Sequence, residues 1–321
     1  MSETVTGCVD INRIERDIKI RPMKKSIVCF GEVLWDIFPD RRIIGGAPLN
    51  VALRLKSFGN QVAIISAVGN DYLGLELTDY LKSQGLSTDA IQISKHYATG
   101  EVTVMLNNKG SASYDIEFPR AWDKIDVSAK DIALVKACDI FIFGSLAARN
   151  ELTHHSLLML LQHAAYKVFD VNLRAPYYSI ELLKELMQKA DFIKFNDEEL
   201  YEIGESLGSE SASLEQNMYF MSEYTGCKRV CVTKGRHGAA LLYDGEMYYN
   251  SGYHVKVVDT VGAGDSFLAT LLTYLSVTGP KEALDYACAM GALVAATKGA
   301  NEKIAADKLE EMVRASAQET H

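Results

Sequence analysis

Residues 138–195 read CDIFIFGSLAARNELTHHSLLMLLQHAAYKVFDVNLRAPYYSIELLKELMQKADFIKF. Three short apolar runs, CDIFIFG (138–144), YKVFDV (166–171) and DFIKF (191–195), alternate with two stretches of helical period, ELTHHSLLMLLQHAA (151–165) and IELLKELMQKA (180–190). A near-continuous apolar strand has no face to offer water, so both sides of its sheet must be covered, and strands joined through helices run parallel. The same rhythm extends towards the N-terminus. SIVCFGEVLWDIF (26–38) is β-rich, PLNVALRLKSFG (48–59) is helical with Gly59 as a stop, QVAIISAVG (61–69) reads as a strand and LGLELTDYLKSQG (73–85) as a helix. From Gly262 onward the pattern is mostly helical. The expectation is an α/β chain: three layers, α/β/α, around a largely parallel central sheet. Such sheets bind ligands beyond the carboxyl ends of their strands.

One stretch breaks the rhythm. GEVTVMLNNKGSASYDIEF (100–118) alternates apolar and polar residues about Asn-Asn-Lys-Gly, a hairpin pattern that belongs outside a sheet covered on both faces. GAALLYDGEMYYNSG (238–252) is a second hairpin candidate, with Asp244-Gly245 at its turn. There is no repeat, low-complexity tract or linker. The economical division is an N-terminal extension over 1–22, where charges are mixed and no apolar signal core occurs, and one domain over 23–321 with a small β appendage.

Composition narrows the function classes. The 321 residues are 48% hydrophobic and 23% charged, with a net charge of −9 and no basic stripe, which excludes the usual nucleic-acid binder. No apolar run is long enough to span a membrane. Of six cysteines, Cys29, Cys138 and Cys231 lie in apolar runs and read as buried thiols. Cys227 and Cys231 lack the further ligands a zinc site needs. Reduced thiols and an acidic surface fit a cytoplasmic enzyme. GxxxxGK[ST], GxGxxG and GxSxG are all absent.

The strongest chemical signal is DTVGAGDSF (259–267), followed by the apolar helical positions Leu268, Leu271, Leu272 and Leu275. Gly262, Ala263 and Gly264 therefore open a helix, where backbone N–H groups and the helix dipole favour an anion. Asp265 follows in the first turn. A carboxylate beside an anion hole suits phosphoryl transfer, taking the proton of an attacking hydroxyl; the plainer reading is a helix cap. A second signal is GGAPLNVALRLKSFG (45–59): Gly45-Gly46 permits close approach to backbone, Pro48 suits a first helical turn, and Asn50 offers donors and an acceptor to a diol. Asp36 follows the first apolar strand, as a hydroxyl acceptor or a solvated loop residue. In FDVNLR, alternation would put Asp170, Asn172 and Arg174 on one side if the strand continues, with Arg174 able to steady phosphate or substrate. FNDEEL sets Asn196 and Glu199 three apart at a helix start.

DTVGAGDSF and GGAPLNVALRLKSFG together resemble the two signatures of the ribokinase/PfkB family of carbohydrate kinases, in the right order and over about residues 25–300. The resemblance implies a ribokinase-like fold whose small β-lid takes residues near 36–46 and 97–122, with ATP and a sugar as substrates. It implies Asp265 as catalytic base, Gly262, Ala263 and Gly264 as anion hole, and Arg174 as a supporting group. Substrate contacts would be Asp36, Gly45, Gly46 and Asn50. Asn196 and Glu199 would arrange Mg2+ through water, Asp259 would border a K+ loop, and Thr233, Gly235 and Gly238 in VCVTKGRHGAALL would lie near the nucleotide. Lys234 departs from the apolar residue usual in that turn and is expected to face solvent. The small residues of CAMGALVAAT (288–297) suit helix packing or an adenine ring. GGAPLN and DVNLR resemble the fructokinase-like form, implying fructose to fructose 6-phosphate, with ribose, 2-keto-3-deoxygluconate or a nucleoside as alternatives. Tyr97, Phe118, Arg120 and Trp122 are candidate pocket residues. The lid implies a candidate homodimer. A catalytically silent sugar-binding protein and a nicotinamide-dependent dehydrogenase are the readings from other classes; the intact Asp265 and the absent GxGxxG weigh against each. Deleting residues 1–22 should leave folding and turnover intact; an insoluble or inactive product would refute their assignment as an extension.

Overall fold

The computed structural model describes residues 24–106 and 112–318. The expected extension over 1–22 and the Asn-Asn-Lys-Gly turn at 107–110 lie outside the described residues. Strands are β1 (Ser26–Phe30), β2 (Leu34–Ile37), β3 (Arg42–Gly45), β4 (Gln61–Gly69), β5 (Ile91–Ser94), β6 (Gly100–Leu106), β7 (Ala112–Ile116), β8 (Ile140–Gly144), β9 (Lys167–Asp170), β10 (Phe192–Asn196), β11 (Arg229–Thr233), β12 (Ala239–Tyr243) and β13 (Glu246–Asn250). Helices are α1 (Ala47–Ser57), α2 (Tyr72–Ser83), α3 (Ala129–Lys136), α4 (Glu151–Leu161), α5 (Ile180–Met187), α6 (Asp197–Ser206), α7 (Leu214–Thr225), α8 (Ala263–Tyr274), α9 (Pro280–Ala295) and α10 (Ala306–Gln318).

The main sheet has nine strands in the order β13-β12-β11-β10-β9-β8-β1-β4-β5. Pairing is parallel from β11 through to β5, and the β12–β13 hairpin closes one edge antiparallel. The second hairpin of the sequence is therefore an edge of this sheet. Strand alternation divides the core. Ile27 and Cys29 of β1 pack on one face with Ile64, Ile142 and the helices α1, α8 and α9. Val28 and Phe30 pack on the other with Phe141, Phe143, Phe169 and the helices α4, α5 and α7. The central strands β1, β8, β9, β10 and β11 bury both faces, as their unbroken apolar composition requires, while the edge strands β5 and β13 stay partly exposed. No described helix is long and apolar enough to cross a membrane.

A second sheet of four strands, β3-β2-β6-β7, stands apart from the first. Its β6–β7 hairpin is the half-polar stretch of the sequence, and β2 joins it in parallel at β6. Its small core holds Leu34, Val102, Ile116, Leu146 and Trp122. Trp122 is 1% exposed, so it is packing here and lines no open pocket. Arg149 stacks 4.0 Å over its ring.

Chain order gives the main sheet its crevice. β4 and β5 lie to one side of β1, and β8 to β11 lie in sequence on the other. Loops leaving β1 and β8 at their carboxyl ends therefore diverge, which opens the place where such sheets take ligands.

Phe143 and Phe169 stack 5.0 Å apart, both fully enclosed. Phe169→Ala should cost about 3–5 kcal/mol of unfolding free energy, read as a lowered urea midpoint at constant slope.

Candidate active site

The turn before α8 is built by its glycines. Gly262 has φ 74°, and a Cβ there would run into Ala300, so the chain can bend only with glycine at that point. The Ala263 N–H donates to the carbonyl of Thr260 at 3.2 Å, while the Gly264 N–H finds no internal acceptor among the described residues. The N–H groups of Gly262 and Asp265 likewise have no acceptor among the described residues, so of this turn only the Ala263 amide is engaged. A Cβ on Gly264 would stand 3.7 Å from Lys194 Nζ, so an ammonium lies directly beside this turn.

Lys194 is 6% exposed and pairs with Asp170, 5% exposed, at 2.7 Å. The two face each other in the β9–β10 register. Burial alone would pull the Lys194 ammonium down, but Asp170 and Glu199 more than reverse that and hold its pKa above the usual value. Sequence reading passed over Lys194. The available signal was a lysine between apolar residues in FIKF, where alternation buries it; its partner depended on knowing that β9 and β10 are neighbours.

Asp265 stands in the first turn of α8. Asn50 donates its amide to Asp265 Oδ2 at 2.8 Å. Burial pushes the Asp265 carboxyl up to about 6, the Asp170 charge adds to the rise, and Asn50, Lys194 and Arg174 oppose it. Asn50 belongs to α1, whose N-cap Gly46 has φ 109° and approaches the Glu32 carbonyl too closely for any side chain. A missed residue, Asn301, donates to Asn50 Oδ1 at 3.0 Å.

Asp36 of β2 lies over Gly45 of β3, where any Cβ would overlap its carboxylate. Burial raises Asp36 to about 6 against the pull of Arg174. Arg174 is exposed, donates to the Leu173 carbonyl at 2.8 Å, and its charge reaches Glu32, Asp36 and Asp265 alike. It is not placed by strand alternation. β9 stops at Asp170, and Asn172 follows with φ 41°, so the Asp-x-Asn-x-Arg run leaves the sheet at once. Glu32, also missed by sequence, is 4% exposed and accepts from the Ala47 N–H at 3.3 Å. Burial raises its pKa to about 7. Glu32 Oε2 and Asp170 Oδ2 have no protein partner, and both residues line a cavity of about 10 Å3 at the ends of β8 and β9, room for one water.

Asn196 and Glu199 form a reciprocal cap on α6: Asn196 Oδ1 accepts from the Glu199 N–H at 2.7 Å, and Glu199 Oε2 from the Asn196 N–H at 2.8 Å. Glu199 Oε1 accepts from the Leu173 N–H at 2.8 Å, which ties the 170s loop to α6. Each carboxylate oxygen keeps a lone pair for a water. No group of three or more acidic, His or Cys side chains that could hold a metal directly occurs among the described residues. This donor set fits a magnesium ion that retains its waters. Thr233 ends β11, and Gly235 begins the turn to β12 with φ 54° and open space around its Cα. Gly238 abuts the backbone at Asn250 and Gly252, a packing role. Lys234 is half-buried and its charge reaches Cys288, where solvent exposure was expected. Asp259 accepts from the Val261 and Gly299 N–H groups at 3.0 and 3.2 Å. The five described cysteines are buried and unpaired.

A family model described as pfkB family carbohydrate kinase matches residues 18–307. Fructokinase of Solanum tuberosum is 30% identical over 301 residues, covering 85% of this chain and 91% of its own. Fructokinase of Escherichia coli is 27% identical over 299 residues, covering 87% and 95%. A fructokinase double mutant from Vibrio cholerae O395, solved with fructose, ADP and potassium ion bound, superposes with a TM-score of 0.77 at 23% identity, over 91% of this chain and 99% of its own.

Lys194→Met alone should cost about 3–5 kcal/mol by stranding Asp170 in the core. Lys194→Met with Asp170→Leu should restore most of that stability in a urea titration. Equal loss in both variants would show that the pair's burial is not the controlling feature.

Proposed function

The chain belongs to the pfkB family of carbohydrate kinases, and within it we propose that this protein transfers the γ-phosphoryl group of ATP to a hydroxyl of fructose, giving fructose 6-phosphate. The observation that carries the reading is the Asp265 carboxylate, held by Asn50 at 2.8 Å in the first turn of a helix whose entry leaves the Gly264 N–H without an acceptor among the described residues. A base and an anion site adjoin in one turn, which is the arrangement in-line attack on a phosphoryl group needs.

In this mechanism Asp265 accepts the proton of the attacking hydroxyl. The turn at Gly262–Gly264 receives the transferring phosphoryl oxygens, with the Lys194 ammonium and the exposed Arg174 lending positive charge. Asp36, Gly45, Gly46 and Asn50 orient the sugar. Asn50 has one donor and one acceptor lone pair already engaged, so it offers the sugar only what remains. Thr233 and Gly235 border the nucleotide. Val257, Val258 and Val261 are 53%, 50% and 39% exposed beside the same turn, an apolar rim suited to the flat face of adenine. A magnesium ion held through water by Asn196 and Glu199 would offset charge on the phosphates. Potassium is proposed beside Asp259. The four-stranded sheet acts as a lid that carries Asp36 over the sugar and excludes water. Fructose is preferred because relatives at 27% and 30% identity are named fructokinase and because GGAPLN and DVNLR take the fructokinase-like form.

The test is ADP release with MgATP and potassium against fructose, ribose, 2-keto-3-deoxygluconate and adenosine. Turnover on fructose with an acid limb near pH 6 is expected, because Asp265 must be ionised and its pKa is raised to about 6. Asp265→Asn should bind ATP and lose about 10²-fold or more in turnover. Best turnover on another sugar would replace the substrate and keep the chemistry; near-normal turnover in Asp265→Asn would remove the base.

A further inference from the structure

Arg54 is an unusual residue to bury. It lies on α1 with 5% exposure, and burial lowers its pKa with no carboxylate among the described residues acting against that shift. Its guanidinium instead makes three hydrogen bonds. Nε donates to Ser266 Oγ at 3.1 Å, and Nη2 donates to the carbonyls of Glu302 at 2.9 Å and Ala300 at 3.5 Å. A buried cation without a counter-ion costs stability unless its donors are satisfied, so this geometry is held for a reason other than charge pairing.

The partners explain what is held. Ser266 follows Asp265 in the chain. Asn301 lies between the two carbonyls that Arg54 binds, and Asn301 Nδ2 donates to Asn50 Oδ1 at 3.0 Å. Asn50 Nδ2 donates to Asp265 Oδ2 at 2.8 Å. Asn50 and Arg54 are one turn apart on the same helix. The hydrogen bonds and these short covalent links close a ring: Arg54, Ser266, Asp265, Asn50, Asn301, and back to Arg54 through residues 300 and 302. Ala300 also packs against Gly262, so the same segment braces the anion turn.

An amide side chain has two faces that differ only in which end donates. If Asn50 rotated by half a turn, its carbonyl oxygen would meet the Asp265 carboxylate and repel it. The donor from Asn301 makes the observed orientation the favourable one, and Arg54 fixes where Asn301 stands. We propose that Arg54 and Asn301 are positioning residues that lock the Asn50 amide with its N–H towards Asp265, and so fix the base for attack. Lysine cannot substitute for Arg54, because one ammonium cannot span Ser266 Oγ and the carbonyls of the 300–302 segment with the fixed fork of a guanidinium. The proposal rests on reading Asp265 as the base.

The experiment measures kcat, KM for ATP and melting temperature for Asn301→Ala, Arg54→Lys and their double variant, with Asp265→Asn as control, on the best sugar of the panel. Asn301→Ala, at a partly exposed loop position, should melt near the wild-type temperature. Its kcat should fall by about 10- to 100-fold while KM for ATP moves less than about 2-fold, the mark of misplaced chemistry and not of lost nucleotide binding. Arg54→Lys should lose a similar factor, and the double variant should be no slower than the slower single, because both break one ring. Wild-type kcat in folded Asn301→Ala, or losses that multiply in the double variant, would overturn the proposal. If Arg54→Lys does not fold, Asn301→Ala decides alone. Turnover surviving in Asp265→Asn would instead sink the base itself, whatever the ring variants do.

Discussion

An ammonium and a carboxylate 2.7 Å apart, buried between two parallel strands, set the terms for everything around them. Lys194 and Asp170 would each be costly to enclose alone. Together they cross-link β9 to β10 and put one positive and one negative charge under the turn where α8 begins. Lys194 holds Glu199 closer to ionisation than its burial would allow. Asp170 pushes Asp265 up while Lys194 pulls it down. After burial itself, part of what sets the carboxyl group proposed as base therefore comes from strands that carry neither signature motif.

The fold was legible because its evidence is periodic. Apolar runs at 138–144, 166–171 and 191–195 became β8, β9 and β10 almost to the residue, and the hairpin that broke the rhythm at 100–118 became β6 and β7 of a separate sheet. The local parts of the site were legible for a related reason: a glycine-rich turn before an apolar helix has few physical uses. Strand alternation failed at Asn172, whose left-handed backbone ends the pattern just where the crevice at the carboxyl ends of the strands begins. Aromatic content does not reveal whether a lid residue faces a pocket or its own small core, and Trp122 lies in that core.

What the sequence hid are contacts between distant segments. Asn50 meets Asp265 across 215 positions and Asn301 across 251. Glu32 and Asp170 share a cavity only because β1 and β9 flank β8. Glu32, Lys194 and Asn301 do not stand out by type or spacing. Each becomes informative once strand order is known, since a polar group buried at the carboxyl end of a central strand needs either a partner or a task. Lys194 has the partner; Glu32 Oε2 has none among the protein atoms.

The opposing influences on Asp265 make chemical sense as a balance. A carboxylate at its ordinary pKa is well ionised near neutrality but a weak proton acceptor, while one raised far above neutrality accepts well and is seldom ionised. Burial and Asp170 push towards the second limit; Asn50, Lys194 and Arg174 push back, and the carboxyl settles at about 6. Of the three restraining groups, Lys194 is anchored by its own ion pair, and the exposed Arg174 has its guanidinium bonded only to the neighbouring Leu173 carbonyl among the described residues. Asn50 is the one whose effect depends on orientation, because a reversed amide would raise the pKa it now lowers. Bracing that amide from both sides, through Asp265 itself and through Asn301, is the economical way to keep such a balance from reversing sign.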